Sequence, residues 1–180
     1  GDDRYIGNRA GSLGGALAGV GLLVDRHGDD TYAGDVLTQG AAFCGVGVLW
    51  DAGGHDTYLA QHSSQGAGFF GAGLLIDHQG DDLLSLGQLG QGLGGAHGVG
   101  LLLDGGGRDR YVADLKVSSG YDTPGVYNGW SQGIGVGFRG YAPGGLGVLI
   151  SAGDGDDTYQ AGDFSQGTGY FFGLGILADS

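Results

Sequence analysis

The chain has 180 residues, 46 of them glycine, a formal charge of −13 and one cysteine, Cys44. Two prolines and no strict G-X-Y period exclude collagen, and an apolar content of 41% recurring at fixed intervals argues against long disorder. The negative charge is the wrong sign for a nucleic-acid groove or an anionic membrane surface, a lone cysteine builds no internal disulfide framework, and no apolar run approaches the about 18 residues of a membrane-spanning helix.

From the N-terminus onward one unit returns. The opening "GDDRY" has its counterparts at the ends of "GLLVDRHGDDTY" (21–32), "GVLWDAGGHDTY" (47–58), "GLLIDHQGDDLL" (73–84), "GLLLDGGGRDRY" (100–111) and, loosened, "GVLISAGDGDDTY" (147–159). The second Asp of the motif falls at Asp3, Asp30, Asp56, Asp82, Asp109 and Asp157, in steps of 27, 26, 26, 27 and 48. Tyr follows two places later at Tyr5, Tyr32, Tyr58, Tyr111 and Tyr159, with Leu84 as the exception. A Gln-Gly pair begins at Gln39, Gln65, Gln91 and Gln166, and is delayed to Gln132 in the long repeat. Gly-x-Gly-aliphatic-Leu closes each unit, with Leu23, Leu49, Leu75, Leu102, Leu149 and Leu177 in one column.

Glycine at every second or third place costs a helix about 1 kcal/mol each, so the runs read as short strands. A 26-residue unit is too short for a propeller blade of about 40 residues. The expected fold is all-β: a parallel β-solenoid of about six coils of 26–27 residues, one of them enlarged, stacked at ~4.8 Å. A β-sandwich or prism of three-stranded units is the alternative. The whole of 1–180 reads as one repeat domain with an insertion at about 115–145. Stacking predicts ladders: Tyr on Tyr, and Gln amides bonded up their own column. Along "GVGLLVD", alternation puts Val20, Leu22 and Val24 on one face and Gly21, Leu23 and Asp25 on the other. Both faces are apolar or small, so either one lines the interior while the other meets a partner, or the insertion folds over it.

Every one of the 20 acidic residues is Asp. Asp is short enough to accept a hydrogen bond from the backbone two residues on, and to ligate Ca²⁺ beside a tight loop. Stacked carboxylates repel one another, and solvent, hydrogen bonds or cations must relieve this. The candidate Ca²⁺ ligands are the two Asp columns of D-x-x-G-x-D: Asp25, Asp51, Asp77 and Asp104 from the first, Asp30, Asp56, Asp82, Asp109 and Asp157 from the second. Ser151 interrupts the first column. Plain turn capping is the competing reading. His27, His55 and His78 fall in successive turns at unequal offsets, which suits solvated turn residues better than a transition-metal cluster.

"AGDGDDTYQ" (152–160) resembles the calcium-binding nonapeptide of RTX β-rolls, G-G-x-G-x-D-x-U-x, through Gly153, Gly155, Asp157 and Tyr159. The half-motif G-x-D-x-U recurs at Gly28-Asp30-Tyr32, Gly54-Asp56-Tyr58, Gly80-Asp82-Leu84 and Gly107-Asp109-Tyr111. The resemblance implies calcium held by the Asp between turns and an inward apolar residue. It covers about a quarter of each unit, with one motif per coil where the family has two, and the leading Gly-Gly mostly absent.

The long repeat carries both prolines and the only lysine, Lys116, in "LKVSSGYDTPGVYNGW" (115–130) and "FRGYAPGG" (138–145). Loops on a rigid solenoid are where binding is grafted, so Tyr121, Asp122, Tyr127, Trp130 and Tyr141 are the candidate ligand-binding residues, in composition a sugar-stacking platform. No nucleophile elbow appears, and identically repeated carboxylates do not make one asymmetric catalytic site. The functional expectation is a structural or adhesive protein of the cell surface or exterior. It stacks head to tail with copies of itself or pairs through an apolar sheet face, with no nucleic-acid partner and no membrane insertion. A polysaccharide-binding or polysaccharide-acting module is the alternative.

Overall fold

The Asp-x-Tyr segments build one parallel sheet from Arg4–Gly7, Thr31–Gly34, Thr57–Ser64, Leu83–Gly90, Arg110–Ala113 and Thr158–Ala161. The Gly-x-Gly segments build a second from Val20–Val24, Val46–Trp50, Ala72–Asp77, Val99–Asp104, Leu146–Ser151 and Leu174–Asp179. Two-residue strands between them, such as Ala42–Phe43 and Gly68–Phe69, form a narrow third face. This computed structural model describes residues 1–113, 117–121 and 124–180. It is the expected all-β parallel solenoid of about six turns.

Register follows the repeat. Tyr5 pairs with Tyr32 and Tyr32 with Tyr58; Leu84 pairs with Tyr58 and Tyr111; Tyr111 pairs with Tyr159. The rings stack at 5.0, 4.9 and 4.9 Å, within 6° of parallel, for Tyr5–Tyr32, Tyr32–Tyr58 and Tyr111–Tyr159. That spacing is the strand separation itself. The Leu23-to-Leu177 column lies opposite the tyrosines, and the two ladders together are the main core.

The interior is thin because glycine makes it so. A Cβ on Gly47 would stand 2.3 Å from the Ala41 carbonyl oxygen, and one on Gly73 2.1 Å from that of Ala67. Here the second sheet rests backbone-to-backbone on the third face, where only glycine fits. Gly21, Leu23 and Asp25 therefore point inward, while Val20 (82% exposed), Leu22 and Val24 point out. Among the described residues that outer face stays open, and Trp130 of the insertion packs on Phe164 and Tyr170 beside the third face.

The glutamines depart from expectation. Each sits in a left-handed turn, Gln39 at φ 53° followed by Gly40 at φ 70°, which aims its side chain into the solenoid. The amide bonds the backbone and not the next glutamine. Gln39 Nε2 donates to the Tyr32 and Leu59 carbonyls, and Gln65, Gln91 and Gln132 bridge successive coils in the same way. An amide nitrogen has two protons, and two carbonyls on adjacent coils use both. The glutamine column thus ties the turn to the tyrosine sheet and offsets part of the cost of a non-glycine residue in the left-handed region.

Gly73→Ala drives a methyl group into a backbone carbonyl that has no room to move. The expected loss is roughly 1–3 kcal/mol or more, read by urea unfolding. Ala72→Gly, on the outward face of the same strand, serves as the control and is expected to lose less, about 1 kcal/mol.

Candidate metal centre

The turn between the second sheet and the tyrosine sheet begins with an Asx turn. One oxygen of the first-column Asp accepts the N–H two residues on: Asp25 from His27, Asp51 from Gly53, Asp77 from Gln79 and Asp104 from Gly106. Its other oxygen accepts a tyrosine hydroxyl. Tyr5 donates to Asp25, Tyr32 to Asp51 at 2.5 Å and Tyr58 to Asp77 at 2.5 Å. The second-column Asp reaches across coils. Asp30 Oδ1 accepts the N–H of Asp3, Asp56 Oδ1 that of Asp30, Asp82 Oδ1 that of Asp56, and Asp109 Oδ1 that of Asp82. Turn capping is therefore present throughout.

Capping leaves one oxygen of each second-column Asp unused. Asp30, Asp56, Asp82 and Asp109 are 1–3% exposed, and the Oδ2 atom of each is buried without a hydrogen-bond partner. These carboxylates converge in four groups: Asp3–Asp25–Asp30, Asp30–Asp51–Asp56, Asp56–Asp77–Asp82 and Asp82–Asp104–Asp109. Within a group, one oxygen from each residue lies within 4.8 Å of the others. A sphere of oxygens that wide has room at its centre for a cation bound at about 2.3–2.6 Å, so each group can hold a metal ion. Asp30, Asp56 and Asp82 each belong to two groups, which makes the four one bridged column.

Among the described residues no cationic side chain pairs with these carboxylates. Among the described residues the only ion pair is Arg108–Asp81, 3.6 Å apart on the surface. Burying an unpaired carboxylate costs several kcal/mol or a shift in its pKa, and the shifts follow. Desolvation foremost pushes Asp56 up to about 8, Asp77 and Asp109 up to about 7 and Asp82 up to about 10, with neighbouring carboxylates adding to it. Asp30 and Asp104 are raised for the same leading reason. Asp25 is the exception: desolvation opposes its charge, but the Tyr5 hydroxyl and the N–H groups of His27 and Arg26 hold its carboxyl below the usual range.

Eight of the nine expected ligands lie in these groups. Asp157 does not: its Oδ2 accepts the hydroxyls of Ser151 and Tyr159. Asp3, which shares the second column but is not among the candidate ligands read from the sequence, takes part instead, with Asp25 and Asp30. His27, His55 and His78 do not gather; His55 Nδ1 accepts the Asp81 N–H, and His78 Nε2 accepts the Trp50 indole N–H.

Two exceptions in the repeat cancel. The tyrosine that would serve Asp104 is Leu84, and the Asp that Tyr111 would serve is Ser151. Tyr111 turns to Asp104 instead, at 2.7 Å. The ladder thus loses one donor and one acceptor at adjacent coils and keeps Asp104 hydrogen-bonded. Comparison with protein-family models, with curated proteins and with solved structures finds no match.

Two outcomes follow from this geometry. The raised carboxyls stabilise the fold when protonated, and that contribution is complete below about pH 4. In chelator it declines as pH climbs through the folded values of about 7 to about 10. The melting temperature in chelator is thus expected to be higher at pH 5 than at pH 9; the opposite slope would contradict uncompensated burial. The paired exceptions predict coupling. Leu84→Tyr crowds a second hydroxyl onto Asp104, and Ser151→Asp draws Tyr111 away from it. The double variant restores one donor per acceptor and is expected to be more stable than the sum of the singles by about 0.5–3 kcal/mol, in a double-mutant cycle by urea unfolding.

Proposed function

We propose that this chain is a non-catalytic structural rod, a surface or extracellular module whose solenoid is held together by a column of Ca²⁺ ions along its interior. The observation that carries this reading is the row of buried, unpartnered Oδ2 atoms on Asp30, Asp56, Asp82 and Asp109, on carboxylates that converge in groups of three. The charge count supports a divalent ion. Each internal coil adds two buried carboxylates and one group, so one divalent ion per coil neutralises the column. The chemistry supports calcium: an all-carboxylate set suits hard cations and not Zn²⁺ or Cu²⁺. Ca²⁺ accepts irregular, shared carboxylate shells, whereas Mg²⁺ keeps several waters. Further coils, from a longer chain or a second copy, would extend the same ladders and the same column.

Thermal melts test the proposal. Ca²⁺ is expected to raise the melting temperature, adding about 2.7 kcal/mol of stability per site at a hundredfold excess over Kd, and chelator to lower it. Asp56→Asn and Asp82→Asn each remove charge from two groups and keep the capping oxygen. Each is expected to raise stability in chelator and to shrink the gain from Ca²⁺, more than Asp25→Asn, which touches one group. A melt indifferent to chelator and to millimolar Ca²⁺ would leave these residues as turn caps alone.

A further inference from the structure

The enlarged coil carries a second feature, independent of the aspartate column. A cleft of about 470 Å³ opens beside the third face, between Gln88 of the coil before, Trp130 and the Phe138–Ala142 hairpin of the enlarged coil, and Tyr170 of the coil after. Its volume falls in the range of ligand pockets, about 300–1,000 Å³.

Its aromatic wall is built and not incidental. Trp130 occupies the place two residues before the repeat's glutamine, which is Leu37, Ser63 and Leu89 in other coils. Its ring lies 4.5 Å from Phe164, stacked, and 5.2 Å from Tyr170, edge-on. Phe164 in turn meets Tyr170 at 5.4 Å. Three aromatic rings thus fix one another, and Trp130 is held in place before any ligand arrives. Tyr141 stands at the rim, 93% exposed. Asn128 and Gln88 supply amides that both donate and accept.

Arg139 sets the charge. Its guanidinium lies over the Tyr170 ring, 5.3 Å from the centroid, at the edge of the cleft. In a chain with 20 aspartates, no carboxylate among the described residues pairs with it. An exposed guanidinium over an aromatic ring, without a carboxylate partner among the described residues, suits a ligand carboxylate, which it can take through two parallel hydrogen bonds. Flat aromatic faces suit the C–H faces of a sugar ring, and flanking amides suit its hydroxyls. Of the residues the sequence put forward as ligand-binding, Trp130 and Tyr141 line this cleft. Tyr121 packs against Phe164 at 5.3 Å and Tyr127 bridges Ser118, both outside its wall, and Asp122 lies outside the described residues.

We infer that this cleft binds a glycan carrying a uronic acid, with a sugar ring against Trp130 and Tyr141 and the carboxylate on Arg139. The test is isothermal titration of the full chain at fixed, saturating Ca²⁺. The probes are tetragalacturonate, an alginate tetramer and a hyaluronan tetrasaccharide, with cellotetraose and galactotetraose as neutral counterparts. At least one uronate oligomer is expected to bind with Kd below about 1 mM and more tightly than either neutral one. Arg139→Gln is expected to weaken it about tenfold or more, the loss of a charge-assisted contact. Tyr141→Ala is expected to weaken it as well. Both side chains are exposed, so the melting temperature and its Ca²⁺ response should stay unchanged, which separates failure here from failure of the cation column. Binding no tighter for uronates than for neutral glycans, or binding indifferent to both variants, would overturn the inference.

Discussion

Two carboxylates per coil are buried with no cationic side chain paired to them among the described residues, and the rest of the structure is arranged around that charge. Stacking places each new pair one strand spacing above the last, so the repulsion accumulates with length. Hydrogen bonds absorb part of it. Every first-column oxygen is used by an Asx turn or a tyrosine hydroxyl, and every second-column Oδ1 is used by a backbone N–H of the adjacent coil. These donors hold the carboxylates in position without cancelling their charge, and one oxygen per coil is left over. The proposed divalent ion, one per coil, would neutralise the column, give that oxygen a partner and join each coil to the next.

The same constraint explains the residue types. Glutamate in place of Asp would carry the carboxyl past the turn that it caps and past the neighbouring oxygens it must meet. Tyrosine is kept because its ring supplies core and its hydroxyl a donor; burial and the adjacent carboxylates push the hydroxyls of Tyr32, Tyr58 and Tyr111 up, so they remain protonated donors. Glycine is kept where the second sheet touches the third face. The pairing of Leu84 with Ser151 shows how tightly these roles are linked: where the ladder gives up a tyrosine it gives up an aspartate one coil on.

Most of the architecture was legible in the sequence because a solenoid translates sequence period directly into spatial register. The Tyr, Leu and Asp columns read off the chain are the ladders of the fold, and the turn role of Asp25 and Asp51 followed from their side-chain length. The direction of the side chains was less legible. Both faces of "GVGLLVD" are apolar, so alternation alone left the interior undecided between Leu23 and Leu22; the close approach at Gly47 and Gly73 decides it. The glutamine column was visible but its partner was not, since the left-handed backbone at Gln39 has no sequence signature beyond the following glycine. The carboxylate groups were half visible. The residues were nameable, but that Asp30 and Asp56 share a group with Asp51 depends on an inter-coil offset that periodicity does not supply. The cleft drew on Gln88 and Tyr170, which lie far along the chain from the insertion that flagged it.

The most direct test of the account is where a cation sits. Crystals grown with Mn²⁺ or a lanthanide in place of Ca²⁺ would locate it by anomalous scattering. A row of peaks is expected inside the solenoid, spaced at about 4.8 Å along the coil axis, each among one of the four carboxylate groups and beside the tyrosine stack. Peaks confined to the outer turns around Asp29 and Asp81, with the interior carboxyls protonated and metal-free, would contradict it.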